Sequence, residues 1–284
     1  MTALLEVAGL TKRFGGLLAV KDIGFSIKSG EILGLIGPNG SGKSTVMKCI
    51  MGIERPNAGA VKLQGTDVAG WPTHRIARHG VGIVFQHARP LQRQTLLEHI
   101  KLALLPDNLL MLATDHGVTR RAEEIAERVG LGQVMHRLPR TVPFADLRRL
   151  ELAKAIARNP KVVLVDEPFA GLTAAEVADF SALIGSFRAE GHAVLLVDHN
   201  VKGVAALVDR VLAMYLGEAV AEGTAAEVMR NATVRAVYLG GRIETAARPE
   251  RAATGRTPLL EVRNVGVLYG RATALEEGSS APRP

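Results

Sequence analysis

The stretch Gly37-Pro-Asn-Gly-Ser-Gly-Lys-Ser-Thr45 carries most of the information about the fold. It fits the pattern G-x-x-x-x-G-K-[ST] and lies between an apolar run, residues 31–36, and a helical pattern, residues 43–51. In such a strand–loop–helix unit the backbone N–H groups converge on phosphate oxygens, and the helix N-terminus adds partial positive charge. The stretch therefore predicts a phosphate-binding loop, whereas a glycine-rich hairpin turn would leave Lys43 and Ser44 unexplained.

Each part of this loop has an expected role in holding a nucleotide and its metal ion. Lys43 is expected to reach the β- and γ-phosphates, and Ser44 is expected to ligate Mg²⁺. The predicted nucleotide-binding residues of the loop are Gly37, Pro38, Asn39, Gly40, Ser41, Gly42, Lys43, Ser44 and Thr45.

A second apolar run, Val162-Val-Leu-Val-Asp-Glu167, ends in two carboxylates. Open α/β sheets bind ligands at the C-terminal ends of their strands, which is where these carboxylates fall. Asp166 is expected to hold Mg²⁺ through water, and Glu167 is expected to orient or deprotonate the attacking water. A strand that ends in Asp-Glu usually leads into a solvated loop, but together with a phosphate loop it indicates nucleotide hydrolysis.

Up to about residue 245 the chain alternates short β-branched apolar runs with longer helical patterns, which is typical of α/β domains with buried parallel strands. Further strands are predicted at residues 81–85 and 193–197, and helices at residues 119–128 and 147–157. The last of these helices is expected to begin at Asp146 and to carry Lys154 and Arg158 near its end, which suits the helix dipole.

Composition excludes several classes of protein. With 47% apolar and 22% charged residues among 284, the chain is neither disordered nor collagen-like. Its formal charge of +7 permits an anionic partner, but the basic residues are scattered and aromatics make up only 4%, so nucleic-acid binding is not expected. The lone Cys49 and the lack of a signal-like segment predict a cytosolic chain. No apolar run approaches the ~18 residues that span a bilayer, so any membrane role is expected to be peripheral.

Three further residues occur in an order that resembles the ATP-binding-cassette (ABC) ATPases. Phe14 precedes the phosphate loop, Gln86 follows an apolar run, and His199 follows residues 194–197. The resemblance implies that Phe14 stacks on adenine, that Gln86 senses Mg²⁺ and a permease contact, and that His199 bonds the γ-phosphate. The implied cofactors are ATP and Mg²⁺, the implied catalytic residues are Glu167, His199 and Gln86, and the implied metal ligands are Ser44, Gln86 and Asp166.

The same resemblance implies a fold for residues 3–241. This is the ABC ATPase form of the P-loop NTPase fold, an α/β fold in which a mixed sheet carries the phosphate loop. An antiparallel β subdomain and a helical subdomain with a signature segment complete it.

More narrowly, the chain resembles the ATPase subunits of branched-chain amino-acid importers. The segments that carry this resemblance are residues 147–156, 166–172, 209–212, 221–224 and 237–240. The implied function is ATP hydrolysis that powers import of a branched-chain amino acid or a related small amide. The implied partners are integral-membrane permease subunits, a second ABC ATPase in a homo- or heterodimer, and indirectly an external substrate-binding protein. The implied location is the inner face of the cell membrane.

The resemblance also implies that two domains face each other head to tail, with ATP between the phosphate loop of one and the signature segment of the other. The signature residues expected to reach the partner's nucleotide are Phe144, Ala145 and Asp146. Where the family commonly has Leu-Ser-Gly-Gly-Gln, this chain has Val-Pro-Phe-Ala-Asp at 142–146, and Pro143 offers neither a hydroxyl nor an N–H. Four arginines surround this segment, with nucleotide charge, lipid head groups and solubility as alternative roles: Arg137, Arg140, Arg148 and Arg149.

A second departure is Thr173, which stands where many family members have an aspartate that communicates between the two sites. A helix cap is the simpler role for this residue.

The end of the sequence repeats its beginning. Thr257-Pro-Leu-Leu-Glu-Val262 echoes Thr2-Ala-Leu-Leu-Glu-Val7, and in the same register, shifted by 255 positions, Tyr269 falls on Phe14. This predicts a cassette domain in residues 1–244, a linker in residues 245–257, and a truncated, mobile copy of the cassette's start in residues 258–284. Coincidence between two hairpin-like stretches is the alternative.

Two other functions stay open at this stage. One is a soluble regulatory or translation-associated ATPase of the same superfamily, although such proteins resemble two complete cassettes and the second copy here stops before a phosphate loop. The other is an incomplete fragment of a fused double cassette.

Overall fold

The computed structural model describes residues 3–86, 89–105 and 117–239, together with the backbone of residues 265–269 and 272–278. The chain divides into two units, Met1–Ile243 and Glu244–Pro284. Within the described ranges, no helix is both long enough and apolar enough to cross a membrane.

The first unit combines strands and helices in alternation. Its strands are β1 (Ala3–Phe14), β2 (Leu17–Lys28), β3 (Ile32–Ile36), β4 (Ala58–Leu63), β5 (Thr66–Asp67), β6 (Val81–Val84), β7 (Val162–Asp166), β8 (Ala193–Asp198), β9 (Arg210–Tyr215) and β10 (Glu218–Gly223). Its α-helices are α1 (Lys43–Ile50), α2 (Thr73–Arg78), α3 (Leu96–Leu104), α4 (Gly117–Arg128), α5 (Phe144–Ile156), α6 (Ala174–Ala189), α7 (Val201–Val204), α8 (Ala225–Arg230) and α9 (Ala232–Leu239). A short 3-10 turn spans Pro139–Thr141.

A six-stranded mixed sheet forms the centre, in the order β10-β9-β3-β8-β7-β6. Its strands pair in parallel from β9 to β6, and only β10 is antiparallel to its neighbour. Every residue of β3 and β8 is buried, as expected of strands that are covered on both faces. Because β3, β7 and β8 run in the same direction, their C-terminal ends meet at one edge of the sheet.

The central sheet separates two hydrophobic cores, and β3 contributes alternate residues to each. Ile32 and Ile36 pack with α3, α4, α5 and α6 on one face. Leu33 and Leu35 pack on the other face with α1 and with a second, antiparallel sheet in the order β2-β1-β4-β5. The phosphate loop, which follows β3, is therefore anchored by a strand fixed from both sides.

Most predicted elements agree with the structure, and the largest difference lies at α5. This helix begins at Phe144, two residues before the predicted start, and ends at Ile156, so Arg158 lies beyond it. Pro143 is its N-cap, with φ −58° and ψ 159°. A proline has its φ preset near the helical value and lacks the N–H that a first turn leaves unbonded, so a helix can begin directly after it. Asp146 still lies in the first turn.

Thr173 caps α6, as its position in the sequence predicts. Its hydroxyl accepts the N–H of Glu176 at 3.4 Å, and the Glu176 carboxylate accepts the N–H of Thr173 at 2.7 Å. This reciprocal pair satisfies two N–H groups that the first turn of a helix leaves without partners.

Replacing Thr173 with alanine is expected to lower the free energy of unfolding by about 1 kcal/mol, because the cap hydroxyl is lost. Urea denaturation measures this change. Thr119→Ala is the control, because Thr119 is an exposed residue within α4, where alanine is the better helix former. Equal stability of Thr173→Ala and the unaltered chain would contradict the capping role.

The described part of the second unit is a β-hairpin of β11 (Val265–Tyr269) and β12 (Ala272–Gly278). Its register pairs Tyr269 with Ala272, Leu268 with Thr273, Val267 with Leu275 and Val265 with Gly278. Subtracting 255 from each number gives four pairs of the β1–β2 hairpin, including both irregularities between them: Phe14 with Leu17, Arg13 with Leu18, Lys12 with Val20 and Leu10 with Ile23. The predicted linker at 245–257, and most of the predicted copy, lie outside the described residues.

Candidate nucleotide-binding and hydrolysis site

The phosphate loop leaves β3 at Gly37 and enters α1 at Lys43. A Cβ at Gly37 would lie 2.5 Å from the carbonyl oxygen of Met214, and a Cβ at Gly42 would lie 2.6 Å from that of Ala19. Gly42 also has a φ of 102°, a backbone conformation that residues with a Cβ atom rarely adopt. The two glycines of the motif are therefore required by close backbone contacts, and they leave the loop's N–H groups free of covering side chains.

Lys43 folds back across the loop. Its Nζ donates to the carbonyl oxygens of Gly37 at 2.7 Å and Pro38 at 3.0 Å. Burial lowers the pKa of Lys43 from its ordinary value, and the nearby carboxylates of Glu167 and Asp166 oppose that shift. The ammonium is thus held inside the concave side of the loop, where phosphate oxygens would be its natural partners.

The buried hydroxyl of Ser41 is a further polar group of this loop. Within the part of the chain that the structure describes, Ser41 Oγ has no hydrogen-bond partner. Together with the buried ammonium of Lys43, it makes the loop a fit for the phosphates of a nucleotide.

A cleft of about 550 Å³ runs from the phosphate loop to an apolar rim. The rim consists of Phe14, Leu17 and Leu216, whose side chains are 42%, 66% and 63% exposed. Lys12 Nζ lies 4.8 Å from the centre of the Phe14 ring. The predicted site residues that line this cleft are Phe14, Asn39, Gly40, Gly42, Lys43, Ser44, Thr45 and Glu167. The cleft can place a planar base on the rim and phosphates on the loop.

Two carboxylates stand at the C-terminal end of β7, next to the phosphate loop. Burial and the neighbouring Glu167 raise the pKa of Asp166, and Lys43 opposes the rise. Glu167 has a φ of 42°, in the left-handed region that favours glycine, and its N–H donates to the carbonyl of Val197 at 2.8 Å. The loop after β7 therefore holds Glu167 in a backbone conformation that its surroundings must maintain.

Gln86 and His199 meet at Glu167, although they lie far from it in the sequence. Gln86 Nε2 donates to Glu167 Oε2 at 2.5 Å, and His199 Nδ1 lies 3.5 Å from Glu167 Oε1. The parallel order β8-β7-β6 produces this meeting, because each of the three residues follows the end of one of these strands. The fold therefore brings these three side chains together at one place.

Asp198 is a polar residue of this edge that the sequence analysis missed. It ends β8 directly before His199 and is 4% exposed, and its Oδ1 lies 3.6 Å from His199 Nδ1. Burial raises its pKa. Its position at the end of a fully apolar run, beside a candidate histidine, was the available signal.

The carboxylates of Asp166, Glu167 and Asp198 lie near the ammonium of Lys43 at this edge of the sheet. This excess of negative charge favours the binding of a divalent cation. However, among the residues whose placement is described, no group of three or more His, Cys, Asp or Glu is arranged to hold a metal ion. A cation here would need oxygen ligands from Ser44 and from the nucleotide itself, in addition to Asp166 and the amide oxygen of Gln86. That mixed set is typical of Mg²⁺ at phosphates.

The signature residues Phe144, Ala145 and Asp146 do not line the cleft of their own chain. They form the first turn of α5, and the Phe144 side chain is 46% exposed. Burial raises the pKa of Asp146, whose Oδ1 lies 3.8 Å from Arg149. None of the three roles expected for the arginines around this segment fits Arg148, because it is only 1% exposed and its guanidinium bonds to backbone carbonyls.

A glycine-lined phosphate loop with strand-end carboxylates and an apolar rim defines a phosphate-loop ATPase. A family model described as ABC transporter matches residues 20–170, more than half of the chain. The chain belongs to the ABC transporter family and is an ATPase of that family. A second model, described as Branched-chain amino acid ATP-binding cassette transporter, matches residues 220–244.

Curated relatives agree on the class and differ in cargo. The chain is 36% identical over 249 residues to the high-affinity branched-chain amino acid transport ATP-binding protein BraF of Pseudomonas aeruginosa, covering 84% of this chain and 98% of that protein. It is 35% identical over 250 residues to LivG of Escherichia coli K12, which has the same description and coverage. It is also 34% identical over 239 residues, with the same coverage, to the lipopolysaccharide export system ATP-binding protein LptB of E. coli K12.

Solved structures give the same class. The ADP conformation of MJ1267, described as an ATP-binding cassette of an ABC transporter, matches with a TM-score of 0.76 and 25% identity, covering 84% of this chain and 100% of that one. A nucleotide-free ATP-binding cassette from an ABC transporter matches with a TM-score of 0.75 and 25% identity, covering 84% and 99%. The predicted fold class and ATPase activity are thereby confirmed.

Proposed function

We propose that this chain is the ATP-hydrolysing subunit of a transporter that imports branched-chain amino acids or related small amides. The observation that carries the cargo assignment is the match of residues 220–244 to the branched-chain amino acid transporter model. These residues include all of α8 and α9, and none of those that the structure describes, 220–239, lines the nucleotide cleft. ATP binding does not require sequence similarity in this segment. The match therefore carries information beyond the shared ATPase residues.

In the proposed mechanism, the N–H groups of the phosphate loop and the Lys43 ammonium bind the β- and γ-phosphates, and Phe14 supports adenine. When bound, Mg²⁺ neutralises phosphate charge beside Ser44 and Asp166. Water attacks the γ-phosphorus, its proton passes to the Glu167 carboxylate, and ADP leaves with the electrons of the broken P–O bond. Gln86 and His199 hold the two oxygens of Glu167 in place until the γ-phosphate arrives.

The complete site is proposed to need a second cassette, either another copy of this chain or a sister subunit. The first turn of α5 would present its N–H groups, with Phe144, Ala145 and Asp146, to the partner's γ-phosphate. Helix N-termini bind anions well, and this turn does not line its own chain's cleft. Integral-membrane permease subunits, which this chain would contact at the inner face of the membrane, and through them an external substrate-binding protein, would complete the assembly.

We further infer that residues 258–284 are a partial copy of the cassette's start, supported by the shared register of the β11–β12 and β1–β2 hairpins. In this organisation, the copy is not part of the cassette, and limited trypsin digestion is expected to remove it while residues 3–239 stay intact. Resistance of residues 246–284 to trypsin would contradict this separation.

Affinity purification of the tagged chain from detergent-solubilised native membranes tests the transporter assignment. Two multi-span proteins and a second cassette ATPase are expected among the co-purifying proteins, and a tagged unrelated ATPase is the control. ATP hydrolysis by the purified assembly should rise with leucine, isoleucine or valine and the external binding protein. Recovery only from the soluble fraction, with ribosomes or without partners, would instead support the regulatory ATPase. Stimulation by lipopolysaccharide would contradict the cargo.

A further inference from the structure

Arg148 has the largest fully buried side chain among the described residues. Burial lowers the pKa of its guanidinium from the ordinary value, although the nearby carboxylates Glu151, Asp166 and Glu167 oppose the shift. None of the hydrogen bonds described for it goes to a carboxylate. Burying a cation is costly unless its donors are used, so an arginine in this position needs a structural or functional reason.

Two nitrogens of the Arg148 guanidinium contact three backbone carbonyls, and the buried Nε has no hydrogen-bond partner among the described residues. Nη1 donates to the oxygen of Phe85 at 3.2 Å, and Nη2 lies 3.4 Å from the oxygens of both Glu167 and Ala170. In addition, the guanidinium lies 5.1 Å from the centre of the Phe144 ring. One side chain of α5 therefore contacts Phe85 before Gln86, the loop after β7 that carries Glu167, and Phe144, the first residue of α5, which is called the signature helix below.

These contacts fix the backbone on both sides of the hydrogen bond between the Gln86 and Glu167 side chains. Phe85 immediately precedes Gln86, whose Nε2 donates to the Glu167 carboxylate at 2.5 Å. Glu167 itself has a φ of 42°, a conformation that persists only where neighbouring groups over-determine it. The carbonyl of Val197 accepts the N–H of Glu167, and Arg148 Nη2 contacts the carbonyl of Glu167.

We propose that Arg148 is a positioning residue, which sets Gln86 and Glu167 relative to the signature helix. Given the proposed head-to-tail arrangement, on which this part rests, Arg148 also connects a chain's own hydrolysis site with the segment that it presents to its partner's nucleotide. Arg148 is a connection built from atoms of a single chain, so it can be tested without a permease.

Hydrogen–deuterium exchange on the full chain, comparing Arg148→Met and Arg148→Lys with the unaltered protein, tests the positioning role. For Arg148→Met we expect exchange to rise about tenfold in residues 84–86, 144–147 and 166–172, because a shared tether is lost. Exchange in β3 and α1 should be unchanged, and Arg148→Lys, which keeps the charge but offers fewer donors, should give a smaller rise.

Arg128→Met is the matched control. Its guanidinium also lies 5.1 Å from a phenylalanine ring, that of Phe187, but it pairs with Glu190 and contacts none of the three segments. A rise in only one segment, no rise, or a uniform rise through the central sheet with Arg148→Met would overturn the proposal. The uniform rise would mean that Arg148 acts only through global stability.

A double-mutant cycle separates positioning from direct catalysis. Arg148→Met is expected to lower kcat for ATP about tenfold while the KM changes less than about threefold, because it acts through Glu167. In a Glu167→Gln background, Arg148→Met should then lower the residual turnover no further. An undiminished tenfold loss in that background would overturn the proposed route. A failure of the importer assignment leaves the exchange result unaffected, so the two failures are distinguishable.

Discussion

Replacing Lys43 with alanine is expected to weaken ATP binding by about 100-fold or more. The Lys43 ammonium bonds the carbonyls of Gly37 and Pro38 on the concave side of the phosphate loop. There it can make two charge-assisted hydrogen bonds to phosphate oxygens, each worth about 1.5–3 kcal/mol. Losing both corresponds to at least about 3 kcal/mol, or a factor above 100 in the dissociation constant.

Titration calorimetry with Mg²⁺ and a slowly hydrolysed ATP analogue measures this loss. Lys62→Ala is the control, because Lys62 is an exposed lysine on β4 that does not line the nucleotide cleft. The control should bind with unchanged affinity, which excludes a general effect of removing a lysine charge. Affinity of Lys43→Ala within about threefold of the unaltered chain would refute the assignment of the loop, since even one lost bond should cost more.

The phosphate loop could be located from the sequence because its requirements are local. The two glycines and Lys43 are close in the chain, and the backbone contacts at Gly37 and Gly42 follow from any strand–loop–helix unit of this kind. The buried strands were equally accessible, because their apolar runs reflect cover on both faces. Predicting that Gln86, Glu167 and His199 meet at the sheet edge also requires the order of the parallel strands. The family resemblance implied that order, whereas the sequence pattern alone did not.

The burial of Arg148 shows what could not be predicted from the sequence. Arginine side chains are mostly exposed in folded proteins. The burial of Arg148 depends on carbonyls that lie 63 and 19 positions away in the sequence, those of Phe85 and Glu167. The sequence does not encode such a contact in any local pattern. Similarly, the early start of α5 follows from the extended conformation of Pro143. Proline fixes φ but leaves ψ open, so the sequence alone does not decide where the helix begins.

The second large effect is expected from Glu167→Gln, which should reduce ATP turnover by about 100- to 1,000-fold while ATP still binds. Glutamine has the same shape, so its amide oxygen can accept the hydrogen bond from Gln86 Nε2 that Glu167 Oε2 accepts now. The amide group cannot, however, take the proton of the attacking water. Binding depends on the phosphate loop and the rim, neither of which changes.

Steady-state phosphate release by the assembly with its partners, and calorimetry with Mg²⁺-ATP, measure the two quantities separately. Glu218→Gln is the control, because Glu218 pairs with Lys21 at the surface and does not line the cleft. Loss of turnover together with loss of binding would mean that the carboxylate contributes charge to nucleotide affinity. Wild-type turnover in Glu167→Gln would assign the proton acceptor to another group. Asp198 would then be the next candidate, because it also lies near His199 and its pKa is raised by burial.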